Sequence, residues 1–390
     1  MDQADSQESK GFEGRNGVCR GRGQPRGWWP PRRSPRLAAR PVVAVAAATL
    51  GLVLLAAPAR AQVALNLYGN ADYHAMKDSG QTTNAFGTAL ADVFLSGTKE
   101  KLSYLAEFVF EVGDNNEFAV DVERLQLGYQ VTEWFRVAAG RFHTAFGYIN
   151  DSYHHGAYYL LSTGRPTFVN FEDGGGLIPA HSVGLHIDGR FHLGSSRLRY
   201  DAELANGRAA TSDQVTNRID PNNGKAVNLR LRLEPGGVLD GLVFGGNVYL
   251  DTIDTTDALM VPVRMSEQAY GAHLAYMEHN VHLISETALF RHVESNGGPT
   301  HQTVATFVEL GYSFAELTPY ARYERTSFGS GPVDPYWAAG AAARGSFHVV
   351  TGGLNYLASD SVALKLEGKY QHFDSNQTSK GLSAQVAYAF

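Results

Sequence analysis

Leu382-Ser383-Ala384-Gln385-Val386-Ala387-Tyr388-Ala389-Phe390 ends the chain with an apolar residue at every second position, down to a terminal aromatic. A period of two is that of a β-strand with one greasy face. Chain termini in water usually fray, so a soluble protein has little use for such an ending. A sheet closed on itself in lipid does have a use for it. Its last strand pairs on both edges and turns its apolar face to acyl chains.

Reading back from that strand, short alternating segments continue as far as Ala64, and about sixteen can be counted. They begin with Leu65–Tyr68 and Asp92–Gly97, then Lys101–Val112, Phe118–Gln130 and Trp134–Phe142. Pro179–Asp188, Arg197–Ala205, Ala226–Leu233 and Leu239–Leu250 follow, then Gln268–Met277, Val281–Phe290, Thr303–Phe314 and Leu317–Thr326. Ser346–Tyr356, Ser361–His372 and Lys380–Phe390 complete the set. Connections after even-numbered segments are short, such as Thr98-Lys99-Glu100 and Ala315-Glu316. Most after odd-numbered ones are long, notably 143–178, 206–225, 251–267 and 327–345. A sandwich has no reason to sort its loops by parity, whereas an up-and-down barrel with both termini on one side does. The fold class is therefore all-β: a transmembrane antiparallel up-and-down barrel. Aromatics near strand ends suit interfacial girdles: Tyr129, Trp134, Phe135, Tyr249, Tyr276, Tyr312, Phe314, Tyr356, Tyr370, Tyr388 and Phe390.

The charges fix which face is inside. The seventh segment sends Leu198, Tyr200, Ala202 and Leu204 one way and Arg197, Arg199, Asp201 and Glu203 the other. The eighth opposes Val227, Leu229, Leu231 and Leu233 to Asn228, Arg230 and Arg232, and the fifteenth opposes Val362, Leu364 and Leu366 to Lys365, Glu367 and Lys369. A midplane Arg or Lys facing lipid costs about 2–4 kcal/mol, so Arg197, Arg199, Arg230, Arg232, Lys365 and Glu367 are expected to face a lumen. So many charges need solvent, and a water-filled interior is expected.

Residues 1–61 read as a leader. Arg32, Arg33, Arg36 and Arg40 precede an apolar stretch from Val42 to Ala57, and Ala59-Arg60-Ala61 supplies a small-x-small site, placing cleavage before Gln62. Residues 62–390 are then the barrel. The leader holds ten of the 33 basic and four of the 39 acidic residues, which leaves 23 against 35 and a formal charge of −12 for the remainder. That balance argues against nucleic acid as a partner. It leans towards cations, although the arginines of the seventh and eighth segments offer a local anion path. The single cysteine, Cys19, is in the leader, so the barrel can form no disulfide or thiolate metal site.

The chain resembles the bacterial outer-membrane porins. Its ending, with Tyr388 and Phe390, is similar to the signature that the barrel-assembly machinery reads as a sorting signal. The stretch Gly140-Arg141-Phe142-His143-Thr144-Ala145-Phe146-Gly147 resembles the Gly-x-Phe-x-Thr-x-Phe-Gly pattern of the phosphate-selective branch. Phosphate specificity does not carry over, because no ladder of lumen arginines and no lysine cluster is evident. The resemblance implies location in the outer membrane, contact with its lipid, a homotrimer, and a loop after strand five folded into the lumen. That position is where the longest connection, His143–Ile178, falls.

Such a loop narrows a pore and charges it. Arg141 and Arg165 against Glu172 and Asp173 would set a transverse field, with His143, Tyr148, Asn150, Tyr153, His154 and His155 as polar liners in contact with solute. No cofactor is required. No metal site is assigned either: His143, His154, His155 and His181 lie near Glu172 and Asp173, yet adjacent His154-His155 lacks the spacing that turns two rings onto one ion. The function expected is a porin passing small hydrophilic solutes or ions passively, with no catalysis. The alternatives are a metal- or anion-selective channel, or a barrel hydrolase. For the hydrolase, Asp151, Ser152 and His154 lie too close in sequence to converge as a triad, and no Gly-x-Ser-x-Gly elbow is present.

Overall fold

In a computed structural model, the structure describes residues 62–390 apart from 88–89, 113–116, 154–155, 215–219, 221, 339 and 341. The leader, with its cleavage site, lies outside the described residues, as do His154 and His155. Seventeen strands form one sheet. They are β1 (Gln62–Asp78), β2 (Gln81–Phe86), β3 (Leu90–Lys99), β4 (Leu102–Val112), β5 (Phe118–Thr132) and β6 (Phe135–His143). Then come β7 (His181–Leu193), β8 (Ser196–Asn206), β9 (Lys225–Glu234), β10 (Leu242–Thr256), β11 (Pro262–Tyr276) and β12 (Val281–Glu294). The last five are β13 (Thr300–Tyr312), β14 (Leu317–Phe328), β15 (Phe347–Ser359), β16 (Val362–Phe373) and β17 (Thr378–Ala389).

From β3 to β17 each strand pairs antiparallel with the next, and β1 closes the ring by pairing with both β17 and β3. The result is a closed barrel of sixteen strands plus β2, which continues the line of β3 along the far half of β1, from Tyr73↔Phe86 to Asp78↔Gln81. Counted around the barrel, β6 is the fifth stave and Thr144–Ala180 is the loop that follows it. At the seam the backbone pairing runs past β17: Phe390 and Leu67 exchange two N–H···O bonds of 2.8 Å. Leu382, Val386 and Phe390 are exposed on the outer face, as the period-two pattern requires.

The facing follows from charge. On β9 Leu229 and Leu231 are exposed while Asn228 and Arg230 are buried; on β16 Leu364 and Leu366 face out while Lys365 and Glu367 are buried. Tyr249 departs from the expected girdle. Its parity on β10 is that of Asn247 and Asp251, so it points inward, with its hydroxyl 3.3 Å from Asp251. β10 and β11 run on to Thr256 and Pro262, consuming most of the loop expected at 251–267. Among the described residues no helix is long and apolar enough to cross a membrane.

The interior is not uniformly wet, which corrects the expectation drawn from its charges. The loop carries Phe146, Ile149, Phe168, Val169, Leu177 and Ile178 into the lumen, where they form a dry core with Ile253, Met265, Ile284, Phe290, Phe307 and Trp337. Phe146 stacks on Phe290 and Phe168 meets Phe307, at ring separations of 6.1 and 5.9 Å. Charges on that wall are met by the loop's own polar groups instead of by water.

Candidate pore constriction

Two glycines let the chain leave β6 and turn into the lumen. Gly140 sits at φ 132°, where a Cβ would lie 2.0 Å from the Leu125 carbonyl oxygen. Gly147 sits at φ 68°, with Glu286 occupying the space of a Cβ. Only glycine adopts such backbone against such neighbours. Between them Phe142 stacks on His186 and Thr144 shares a 2.7 Å hydrogen bond with Ser182. The short motif therefore encodes the loop's departure from the wall.

Beyond Gly147 the loop is tied to strands around much of the barrel. The amides of Ala145 and Ile149 donate to Glu203 and Glu286, each at 2.8 Å. Arg230 binds Asp151 at 2.6 Å, Asp201 at 2.8 Å and the Gly147 oxygen at 3.0 Å. Asn355 donates to the oxygens of Leu160 and Leu161, and Lys365 to those of Ala157 and Ser162. Thr163 gives its amide and hydroxyl to Glu367, both at 3.0 Å, and accepts from Gln385. Arg322 joins Glu309, Glu324 and Ser162, while Arg208, from the loop after β8, holds the Leu177 oxygen at 2.7 Å.

Three of the described loop residues expected to contact solute, Asn150, Arg165 and Glu172, are therefore enclosed. Asn150 is buried and bonds the oxygens of Thr144 and Ala180. Arg165 is buried, 2.8 Å from Asn150 and 4.6 Å over the Phe171 ring. Burial pulls its guanidinium down to about 10, against the carboxylates of Glu286, Glu172 and Glu123. Tyr153 donates to the Met277 thioether, and its ring meets Tyr148 edge-on. Glu172 is buried: desolvation raises its carboxyl, but His181 and main-chain amides outweigh that and hold it below the usual value. Asp173 is exposed and borders an open cavity with Arg141. The four charges do not face one another across water as a simple transverse field requires, because Arg165 and Glu172 belong to the loop's interior.

The open part of the lumen lies against β3–β9. At the long-loop end a cavity of about 710 Å³ is lined by Glu111, Asp121, Glu123, Arg141, Asp173 and His181. At the short-turn end are two more, of about 780 and 960 Å³, both bordered by Arg136. Between the two levels β3, β4 and β5 present Asp92, Phe94, Glu107 and Arg124, with Arg124 paired to Glu107 and lying 4.9 Å over the Phe94 ring. His143 stands 3.6 Å from Glu107. Glu123 is a bulge: it is skipped between Glu107↔Arg124 and Phe108↔Val122, so it and Arg124 both project inward. Sequence reasoning missed Asp92, Glu107, Glu123 and Arg124. The adjacent pair Glu123-Arg124 in an otherwise alternating strand was the available signal.

The lower level differs in charge. Register aligns Arg190, Arg199 and Arg232 across β7, β8 and β9, and all three line the 960 Å³ cavity with Arg136 and Arg230. A lumen arginine row is thus present after all. It escapes a reading made strand by strand because each strand contributes one or two members. Arg197 and Arg199 both pair with Glu234, at 2.9 and 2.6 Å.

Solved structures share this architecture. An anion-selective porin from Comamonas acidovorans superposes with a TM-score of 0.58 at 13% identity, covering 85% of this chain and all of that one. The fold is that of the outer-membrane porins. OmpT, an outer membrane protein of Vibrio cholerae in its trimer form, gives 0.57 at 12% identity over 84% and 99% of the two chains. OmpF of Salmonella typhi gives 0.54 at 18% identity over 84% and 97%. No family model and no curated protein matches. In outer-membrane barrels of this fold the short turns lie at the periplasmic end and the long loops at the external one.

Proposed function

We propose that the chain forms a narrow outer-membrane diffusion pore for small hydrophilic solutes and ions, and performs no chemistry. One observation carries the reading. The loop fills the lumen on the β9–β14 side, and the charged step Asp92–Glu107–Arg124 separates the cavities left at the two ends. Polar groups at a narrow step replace part of an ion's hydration, while the dry loop excludes larger solutes. Asp151, the acid of the Asp151-Ser152-His154 stretch, is committed to Arg230, which weighs against a hydrolytic relay. Three further parts of the reading are a homotrimer, supported by the trimeric OmpT form; recognition of Tyr388 and Phe390 by the assembly machinery; and removal of residues 1–61 on export.

Folded protein added to a planar bilayer should give small, discrete current steps. Deleting Ser152–Asp173 should enlarge them, because that segment occupies the lumen. Correctly folded protein that leaves the bilayer silent would defeat the pore. Steps of unchanged size after the deletion would defeat the role given to the loop.

A further inference from the structure

We propose that the barrel wall at the foot of the inserted loop holds a divalent transition metal of the zinc class, on Glu123, His143 and His181. The three residues come from β5, β6 and β7, and all are buried. One ligand atom from each lies within 4.8 Å of the others. The β-bulge at Glu123 turns its carboxylate inward, and β6 and β7 pair at His143↔His181, which brings the imidazoles together with ring centres 5.6 Å apart. Two imidazoles and a carboxylate are a common donor set for such ions. Tetrahedral coordination at bonds of about 2.0–2.2 Å spaces donors by about 3.4 Å; the ion would part the hydrogen-bonded Glu123–His181 pair and draw His143 in, shifts on the scale of side-chain rotations.

The surroundings match what such an ion needs beyond its ligands. A carboxylate on the far nitrogen fixes the tautomer and orientation of a ligating imidazole. Glu172 lies 3.6 Å from His181 Nδ1, while Nε2 of that ring meets Glu123. Glu107, anchored by Arg124, lies 3.6 Å from His143 Nε2. His181 Nδ1 and His143 Nε2 are thus each held by a carboxylate outside the ligand set, which assigns His181 Nε2, beside Glu123, and His143 Nδ1 to the ion. Glu123 and His181 also line the external cavity of about 710 Å³, which provides an entry path and a place for a solvent ligand.

Zinc chloride is the probe, added to metal-stripped, detergent-solubilised, full-length folded protein and read by equilibrium dialysis with metal analysis. Folding of each variant is checked by heat-modifiable gel migration. His143→Ala and Glu123→Gln are each expected to bind one zinc fewer per chain than the wild type, or to bind it about a hundredfold more weakly. His192→Ala, which removes an exposed imidazole lower on β7, should match the wild type. Cobalt at the same site should add visible absorption bands that Glu123→Gln abolishes. Equal stoichiometry and affinity in the wild type and both site variants would overturn the site, as would a wild type that binds no zinc. Should His143→Ala fail to fold, the near-isosteric Glu123→Gln decides alone. No current is measured, so failure of the pore reading and failure of this one remain distinguishable.

Discussion

The ion pair Arg124–Glu107 lies between the two cavity levels, where the proposed pore would be narrowest. Two unit charges about 4 Å apart in water interact by about 1 kcal/mol, a factor of about five in a local concentration. Arg124→Gln is therefore expected to move the permeability ratio about fivefold towards cations, and Glu107→Gln to move it the other way. Reversal potentials in a salt gradient read both, and identical values for the two variants would remove the pair from the permeation path. Asp151 makes a separate prediction. Burial raises its carboxyl, but Arg230 outweighs that and holds it below the ordinary value. An acid with a depressed folded value contributes its stabilisation above about pH 4 and loses it as pH falls through that lower value. The Asp151 anchor should accordingly hold unchanged from pH 8 to about pH 5, so the extra flicker of Asp151→Asn over the wild type stays constant across that range and shrinks only in stronger acid. A difference between the two proteins that fades between pH 6 and 7 would contradict the anchor. Asp151 was legible only as an acid in a long loop, since its partner Arg230 lies 79 positions away and nothing local reveals the pairing.

At the element scale the turn from β6 into the lumen depends on Gly140. Alanine there meets both the φ of 132° and the Leu125 oxygen. Gly140→Ala should cost about 1–3 kcal/mol from backbone strain alone. The cost is read as a lower urea midpoint for the loss of heat-modifiable migration, and an unchanged midpoint would mean that the backbone re-forms elsewhere. The strands were legible because lipid outside and charge inside imprint a period of two, and the loop's place was legible from its length. The first strand was read as Leu65–Tyr68 and runs to Asp78, because Gly69, Asn70 and Asp72 break the apolar rhythm although hydrogen bonds continue. Tyr249 was misplaced because an aromatic suits an interface and an inner face equally, and only its neighbours' parity decides. The dry inner core was not legible at all. Phe146, Phe168 and Leu177 sit in a loop, where no periodicity announces what they pack against.

Taken end to end, the barrel carries cavities of opposite charge. Glu111, Asp121 and Asp173 border the cavity at the long-loop end, while Arg190, Arg199 and Arg232 border one at the short-turn end. A path with acids at one mouth and arginines at the other concentrates cations at the first and anions at the second. Such a pore should rectify. More current is expected when the external side is positive, because that sign drives each ion from the mouth that gathers it into the narrow step. Protein added from one side of a bilayer, so that insertion has one direction, tests this, and a straight current–voltage line would exclude the bipolar arrangement. The inserted loop also dictates an assembly order. It is made after β6, yet the surfaces that cover its apolar side chains belong to β10–β14, and Thr163 is clasped by β16 and β17, which emerge last. Those apolar side chains therefore cannot reach the surfaces that cover them until β14 has been made, and the β1–β17 seam can lock only once the cargo of the cylinder is already aboard.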